Sequence, residues 1–164
     1  TAPWDVTFLE GGPQLPEPRH IEKLESWTEW GEQAAQFGGL ARYRTTFQRP
    51  GAGEYILDLG DVRESARVIL NGREVATLFA LPFRVPVGDC LKDGENELIL
   101  EVANLGANRI AEMDRQGIDW RHYYEINFVN ILYKPFDASA WDPVPSGLLG
   151  PAKLIPAEVA REPK

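Results

Sequence analysis

The sequence has almost no cysteine and histidine. Cys90 is the single cysteine among 164 residues, so no disulfide can form within the chain and the cysteine content gives no sign of an oxidising compartment. The two histidines do not combine with it into any zinc-binding spacing. A chain of this length buries roughly two-thirds of its unfolded surface, so we expect a core that needs neither metal nor disulfide.

Positive charge and long apolar runs are also scarce. Lysine and arginine total 17 against 25 aspartates and glutamates, a formal net charge of −8. A protein that binds nucleic acid or an anionic membrane surface needs clustered basic residues, so we expect neither as a partner. No apolar run approaches the ~20 residues that cross a bilayer.

The chain has no initiating methionine and no signal-like apolar segment at its start. It begins at Thr1, and its only methionine is Met113. Both ends are short, polar and proline-containing, as linkers are. We therefore expect residues 1–164 to be a single domain excised from a longer polypeptide.

Alternation of apolar and polar residues dominates the chain and predicts short antiparallel strands. The clearest signal is "ARVILNGREVATLF", where Asn71-Gly72 supplies the two positive-φ residues of a type I′ hairpin. After the turn at Gly94, Asn96 is expected to hydrogen-bond nearby backbone. The pattern predicts an all-β antiparallel sandwich or jelly roll with little helix. Predicted strands include 4–8, 41–48, 54–60, 83–87, 95–104, 126–133 and 147–156.

Residues 10–40 are predicted to form an irregular N-terminal connection within this domain. Leu24, Trp27 and Trp30 have three-residue spacing, which fits either a short helical turn or a loop held by its tryptophans. We expect Trp27, Trp30 and Phe37 to pack into the core. His20 is expected to be exposed and Cys90 to be a small buried side chain.

The stretch "NLGANRIAEMDRQGIDWRHYYEIN", residues 104–127, is predicted to be a long connection rich in rings and guanidinium groups. A loop longer than ~12–15 residues is usually functional or disordered, and the aromatic content argues against disorder. Sugar binding needs rings against C–H faces and forked polar groups on hydroxyls. The candidate ligand-binding residues are Asn108, Arg109, Trp120, Arg121, Tyr123 and Tyr124.

Three other roles of this connection stay open. The tryptophan could close the end of the sandwich, Asn108 and Arg109 could hold loop backbone, and the whole connection could dock on another domain. Its acids Asp114, Asp119 and Glu125 could form a hydrolytic pair, or they could be solvated or paired with the arginines. We expect no catalysis by this chain. We also expect no cofactor and no metal, with a structural calcium ion as the alternative.

Two runs, "LDLGDVRESARVILNGREVATLFALPFRVPV" and "LKDGENELILEVANLGANR", resemble the sugar-binding β-sandwich of glycoside hydrolase family 2. The flanking "SWTEWGEQAAQFGGLARYRTTF" and "PSGLLGPAKLI" look like the C-terminal sandwich of glycoside hydrolase family 106 rhamnosidase-type enzymes. The resemblance covers Leu24 to Ile155. It implies a galactose-binding-like jelly roll whose catalytic carboxylates lie on a separate domain.

The function implied by this resemblance is that of a non-catalytic carbohydrate-binding or accessory domain. The parent protein would be a secreted or periplasmic glycoside hydrolase acting on plant or microbial polysaccharide. Carbohydrate and the catalytic domain of the parent chain are the expected partners. The alternative is a purely structural interdomain module without sugar affinity, and a standalone hydrolase or lyase comes third.

Overall fold

The computed structural model describes residues 2–122 and 132–157, which form eleven strands and two α-helices. Two 3-10 turns lie at Trp27–Trp30 and Gly88–Cys90. The helices are α1 (Glu32–Ala35) and α2 (Ala107–Arg115). The strands are β1 (Trp4–Gly12), β2 (Arg19–Ile21), β3 (Gly38–Gln48), β4 (Glu54–Asp58), β5 (Asp61–Arg63), β6 (Ser65–Leu70), β7 (Arg73–Leu78), β8 (Arg84–Pro86), β9 (Glu95–Ala103), β10 (Gly147–Gly150) and β11 (Lys153–Ala157).

One layer of the sandwich is a six-stranded antiparallel sheet with the order β2-β1-β3-β9-β6-β7. Its strands alternate because one face is buried and the other is wet. A row of inward residues crosses four strands in register, Val6, Tyr43, Leu100 and Val68, and each is almost fully buried. The predicted all-β antiparallel sandwich is confirmed.

The second layer consists of a three-stranded sheet, β11-β4-β8, and a two-stranded sheet, β10-β5. The chain passes from β4 to β5 and from β10 to β11 at adjacent points, where Gly60 and Gly150 touch. Gly60 has φ 67°, and a Cβ there would lie 2.6 Å from the Gly150 carbonyl carbon. Only glycine permits this close crossing of the two connections.

The core fills the space between the layers and is closed by the segment that precedes β3. Trp27 and Phe37 are fully buried and meet Phe8 edge to face, with ring centroids 5.4 and 4.9 Å away. Trp30 is also buried. The packing role predicted for these aromatic residues is confirmed.

Residues 10–40 are more regular than the predicted irregular connection. They contain the end of β1, β2, a 3-10 turn, α1 and the start of β3. The short helical turn is present at Trp27–Trp30, where the Ser26 hydroxyl accepts a hydrogen bond from the Thr28 N–H. This cap satisfies a backbone donor that would otherwise lack a partner.

The local turn chemistry is as predicted. Asn71 and Gly72 have φ 55° and 79°, the positive values of a type I′ turn. The Asn96 amide donates to the carbonyls of Lys92 and Gly94, each at 3.0 Å. Cys90, predicted to be a small buried side chain, is half-buried, and His20 is exposed as predicted. The predicted strand 126–133 lies outside the described residues except for its last two positions, which are a turn and a bend.

The two ends of the sandwich receive different connections. We call the end where β1, β7 and β9 terminate the connection end, and the end carrying residues 49–53, the Asn71-Gly72 turn and residues 88–94 the turn end. β1 begins toward the turn end, because Asp5 pairs with Arg44 near the end of β3. β11 also finishes there, because Ala157 pairs with Glu54.

Candidate functional site

The predicted site residues cluster on the connection that leaves β9, which begins with a helix. The predicted loop is wrong over Ala107–Arg115, which form α2. Gly117, with φ 67°, ends the helix, and the N–H of Ile118 donates to the Met113 carbonyl at 2.8 Å. This is the Schellman arrangement, and the glycine after Arg115-Gln116 was its visible signal.

Side-chain amides fix α2 to the sandwich. Asn104 accepts from the Gly39 N–H at 2.9 Å and donates to the Phe37 carbonyl at 3.0 Å. Asn108, only 6% exposed, donates to the Val144 carbonyl at 2.8 Å and accepts from the Val144 N–H at 2.7 Å. Both polar atoms of Asn108 are therefore occupied by backbone.

A buried serine pair completes this network. Ser146 donates its N–H to the Ser26 hydroxyl at 2.9 Å, and its own hydroxyl lies 3.0 Å from the Asn104 amide nitrogen. The Ser26 hydroxyl donates to the Ser146 carbonyl. These serines are 120 positions apart, so no local sequence pattern could have linked them.

The Asp114 carboxylate on α2 accepts hydrogen bonds from segments of the chain that follow the helix. Its Oδ1 accepts from the Trp120 indole N–H at 2.8 Å and from Arg121 Nη2 at 3.3 Å. Its Oδ2 accepts from the Ala138 N–H at 2.7 Å, and its side chain is 7% exposed. Arg121 also donates to the Phe136 carbonyl at 2.6 Å. This carboxylate therefore holds three separated segments together.

An aromatic cluster lies above this carboxylate. Trp120 meets Phe136 edge to face at 6.0 Å, and Phe136 meets Trp141 in the same way at 5.6 Å. The Arg121 guanidinium stands over the Trp120 ring, 5.0 Å from its centroid. This cation–π contact covers one face of the Trp120 ring. Trp141 is 43% exposed and is the most accessible ring of the cluster.

Arg109 differs from the other predicted site residues. It is half-buried on α2 against Gly38, and its guanidinium makes no hydrogen bond or ion pair with any described residue. The structure thus brings Asn108, Arg109, Trp120 and Arg121 into one region and leaves Arg109 with free donors. Tyr123 and Tyr124 lie outside the described residues.

Of the three acids considered for a hydrolytic pair, Asp114 and Asp119 lie among the described residues. Both oxygens of Asp114 are occupied by donors, and Asp119 is an exposed residue whose carboxylate accepts from the Arg121 N–H. Glu125 is not among the described residues. In the described part of the chain, no group of three or more His, Cys, Asp or Glu side chains converges as a metal site would require.

Large exposed apolar side chains are confined to connections that leave the connection end. Among residues 2–122 and 132–157 they are Leu15, Phe79, Leu81, Leu105, Ile118, Leu132, Tyr133 and Trp141. Phe79 and Leu81 are about four-fifths exposed. The described connections of the turn end carry none. We call this set of eight side chains the apolar end patch.

Ion pairs lie on the outer face of the six-stranded sheet. Glu101 lies between Arg42 and Arg67 on neighbouring strands, and its side chain is 3% exposed. Burial opposes ionisation of this carboxyl, but hydrogen bonds from both arginines outweigh it and hold its pKa below the usual value. On the inner face, burial raises the pKa of Tyr43, whose hydroxyl accepts from the Leu148 N–H.

No family model matches this chain. A protein of Formosa agariphila named "Putative beta-glucuronidase" is 34% identical, over 92% of this chain and 15% of its own length. The solved rhamnosidase of Novosphingobium sp. PP1Y shares 28% identity with a TM-score of 0.75, covering 94% of this chain and 14% of the rhamnosidase. The β-glucuronidase of Ruminococcus gnavus, 21% identical with a TM-score of 0.52, shares the fold over 62% of this chain and 21% of its own.

These likenesses, together with the fold, define the class of protein. The chain is a β-sandwich domain of the kind associated with sugar-active enzymes, and it spans only about one-seventh of the Formosa and Novosphingobium relatives. None of the described helices is long and apolar enough to cross a bilayer.

Proposed function

We propose that this chain is a non-catalytic accessory domain of a larger, secreted or periplasmic carbohydrate-active enzyme, and that it docks on a neighbouring domain through its connection end. The apolar end patch carries this proposal. All eight strongly exposed large apolar side chains of the described residues leave the same end of the sandwich. Large exposed apolar side chains gathered at one end of a domain favour a contact site there, because burying them removes apolar area from water.

The state of the predicted polar groups supports docking over catalysis. Asn108, Asp114 and Arg121 are hydrogen-bonded to neighbouring backbone and side chains. These groups position the connection and leave few donors for a substrate. Arg109 is the exception, and its free guanidinium is suited to pair with a carboxylate or a carbonyl of the neighbouring domain.

Hydrogen exchange tests the docking proposal directly. We expect backbone amides of residues 79–83 to be protected in the longer gene product and to exchange freely in the isolated chain, because a docked domain excludes water from that loop. Residues 49–53 at the turn end serve as the internal control and should exchange equally in both. Equal amide exchange rates for residues 79–83 in the two proteins would contradict the docking proposal.

Carbohydrate binding is the second candidate, favoured by the half-open Trp141 ring and the free donors of Arg109. A ring and a forked cation suit a pyranose with its hydroxyls. Titration with plant and microbial oligosaccharides should then change tryptophan fluorescence, and Trp141→Ala should remove the change. The same chain should not hydrolyse aryl rhamnosides or glucuronides, and turnover of either would overturn the non-catalytic assignment.

A further inference from the structure

A second apolar feature lies in the turn-end half of the sandwich, between its two layers. It is a pocket of about 420 Å³ at the edge where β1 and β2 face β11. Trp4, Phe47 and Leu98 of the six-stranded sheet form one wall. Leu57 and Leu154 form the other, and they face each other in register on β4 and β11.

Small side chains create this space. Thr45 occupies the inward position between Tyr43 and Phe47 on β3, and its hydroxyl donates a hydrogen bond to the Pro3 carbonyl at 2.7 Å. Ala152, just before β11, also lines the pocket. Because native cores are close-packed, an opening of this size between two sheets is a gap in the core. Its volume falls in the range of small-molecule sites, ~300–1,000 Å³.

The rim of the pocket is cationic on balance. Lys23 and Lys153 line it, and no acidic side chain of the described residues lies within 4 Å of either ammonium group. Lys153 is opposite Asp58, but that carboxylate already accepts from Arg84 and from the Gly60 N–H. The third charged rim residue, Glu22, is 81% exposed and lies 3.8 Å from a ring nitrogen of His20.

We propose that this pocket binds a small amphipathic carboxylate, with its apolar body between the layers and its carboxylate at Lys23 and Lys153. The walls offer apolar contact on both sides, and the hydroxyl of Thr45, which also lines the pocket, already donates to the Pro3 carbonyl. Only the rim supplies charge, and it supplies donors for an anion. The site is separate from the apolar end patch and does not depend on the docking proposal.

Dodecanoate is the probe, with dodecan-1-ol as the neutral comparison. Isothermal titration should show saturable binding of dodecanoate to the 164-residue chain. Methyl resonances of Leu57, Leu98 and Leu154 should shift during the titration, whereas those of Leu105 at the other end should not. Absence of binding, or shifts only at Leu105, would overturn the proposal.

Two variants separate the parts of the site. Ala152→Phe fills the pocket and should abolish binding of both probes. The double variant Lys23→Gln, Lys153→Gln should weaken dodecanoate about two- to tenfold, as exposed ion pairs do, and leave dodecan-1-ol unchanged. Lys92→Gln, at the turn end but outside the pocket, is the matched control. If the double variant binds dodecanoate as the control does, the carboxylate assignment is wrong.

Discussion

Replacing Asp114 by asparagine tests whether the aromatic connection is held in place from within. The substitution keeps the shape of the side chain and one carbonyl oxygen, which can still face Trp120 and Arg121. The amide nitrogen of the asparagine would then face the Ala138 N–H, which in the unsubstituted protein donates to Asp114 Oδ2 at 2.7 Å. Two donors would face each other without an acceptor. The opposite orientation of the amide would set its N–H against two donors instead of one.

The expected cost follows from these contacts. A hydrogen bond to a charged acceptor contributes about 1.5–3 kcal/mol, and the remaining bonds weaken when the acceptor becomes neutral. We therefore expect local opening of the connection to become easier by about 2–4 kcal/mol. Each 1.36 kcal/mol is a factor of ten, so protection of the Ala138 amide against hydrogen exchange should fall by about 30- to 900-fold.

Amide exchange read by NMR provides both the measurement and its controls. The Gly60 amide, which donates to Asp58 at 2.9 Å in another part of the fold, should be unaffected. Asp137→Asn removes a neighbouring exposed carboxylate that accepts from Ser139, and it should leave Ala138 protected. A change of less than about threefold at Ala138 in Asp114→Asn would refute the reasoning.

Two further substitutions probe stability. The lowered pKa of Glu101 means that its ion pairs stabilise the fold fully above the unfolded value of about 4.3, and that this contribution is lost as the pH falls through the lower folded value. Glu101→Gln should therefore be less stable at pH 7 in urea denaturation and lose less on acidification. Gly147→Ala should cost about 2–5 kcal/mol: positive-φ strain of about 1–2, plus overpacking of about 1–3, because its Cβ would lie 2.5 Å from the Tyr43 hydroxyl and 2.8 Å from Trp27.

Each of these has a direct contradiction. Parallel stability curves for Glu101→Gln and the parent between pH 7 and pH 3 would show that the carboxylate gains nothing from its arginines. For the glycine, Gly72→Ala is the matched control, since its φ is also positive but nothing lies within 4 Å of the added Cβ. It should cost only the strain of about 1–2 kcal/mol. Equal costs at the two positions would exclude overpacking at Gly147.

The strands and turns were predictable because their signals are local. Period-2 alternation gave the strands, the positive φ values of Asn71 and Gly72 belong to a two-residue hairpin turn, and the Asn96 amide bonds within four positions of the chain. The helix α2 was not predicted because the many rings and arginines of residues 104–127 favoured a binding loop. Gly117 was the local signal for the end of a helix.

The candidate site was predictable only as a region. Which polar group is occupied depends on partners far along the chain, such as Val144 for Asn108 and Ala138 for Asp114. No spacing rule shows that, among the described candidate site residues, the Arg109 guanidinium is the one without a hydrogen bond or ion pair. The apolar end patch was equally unpredictable from the sequence, because the exposure of Phe79 and Leu81 depends on how the two layers pack together.

The positions of β1 and β11 have a practical consequence for handling the protein. Trp4 and Ala157 both lie toward the turn end, opposite the apolar end patch. A label attached next to Trp4 or Ala157 would therefore lie at the opposite end of the sandwich from Phe79 and Leu81. A bulky label at either position should leave the binding of another protein to that opposite end unchanged.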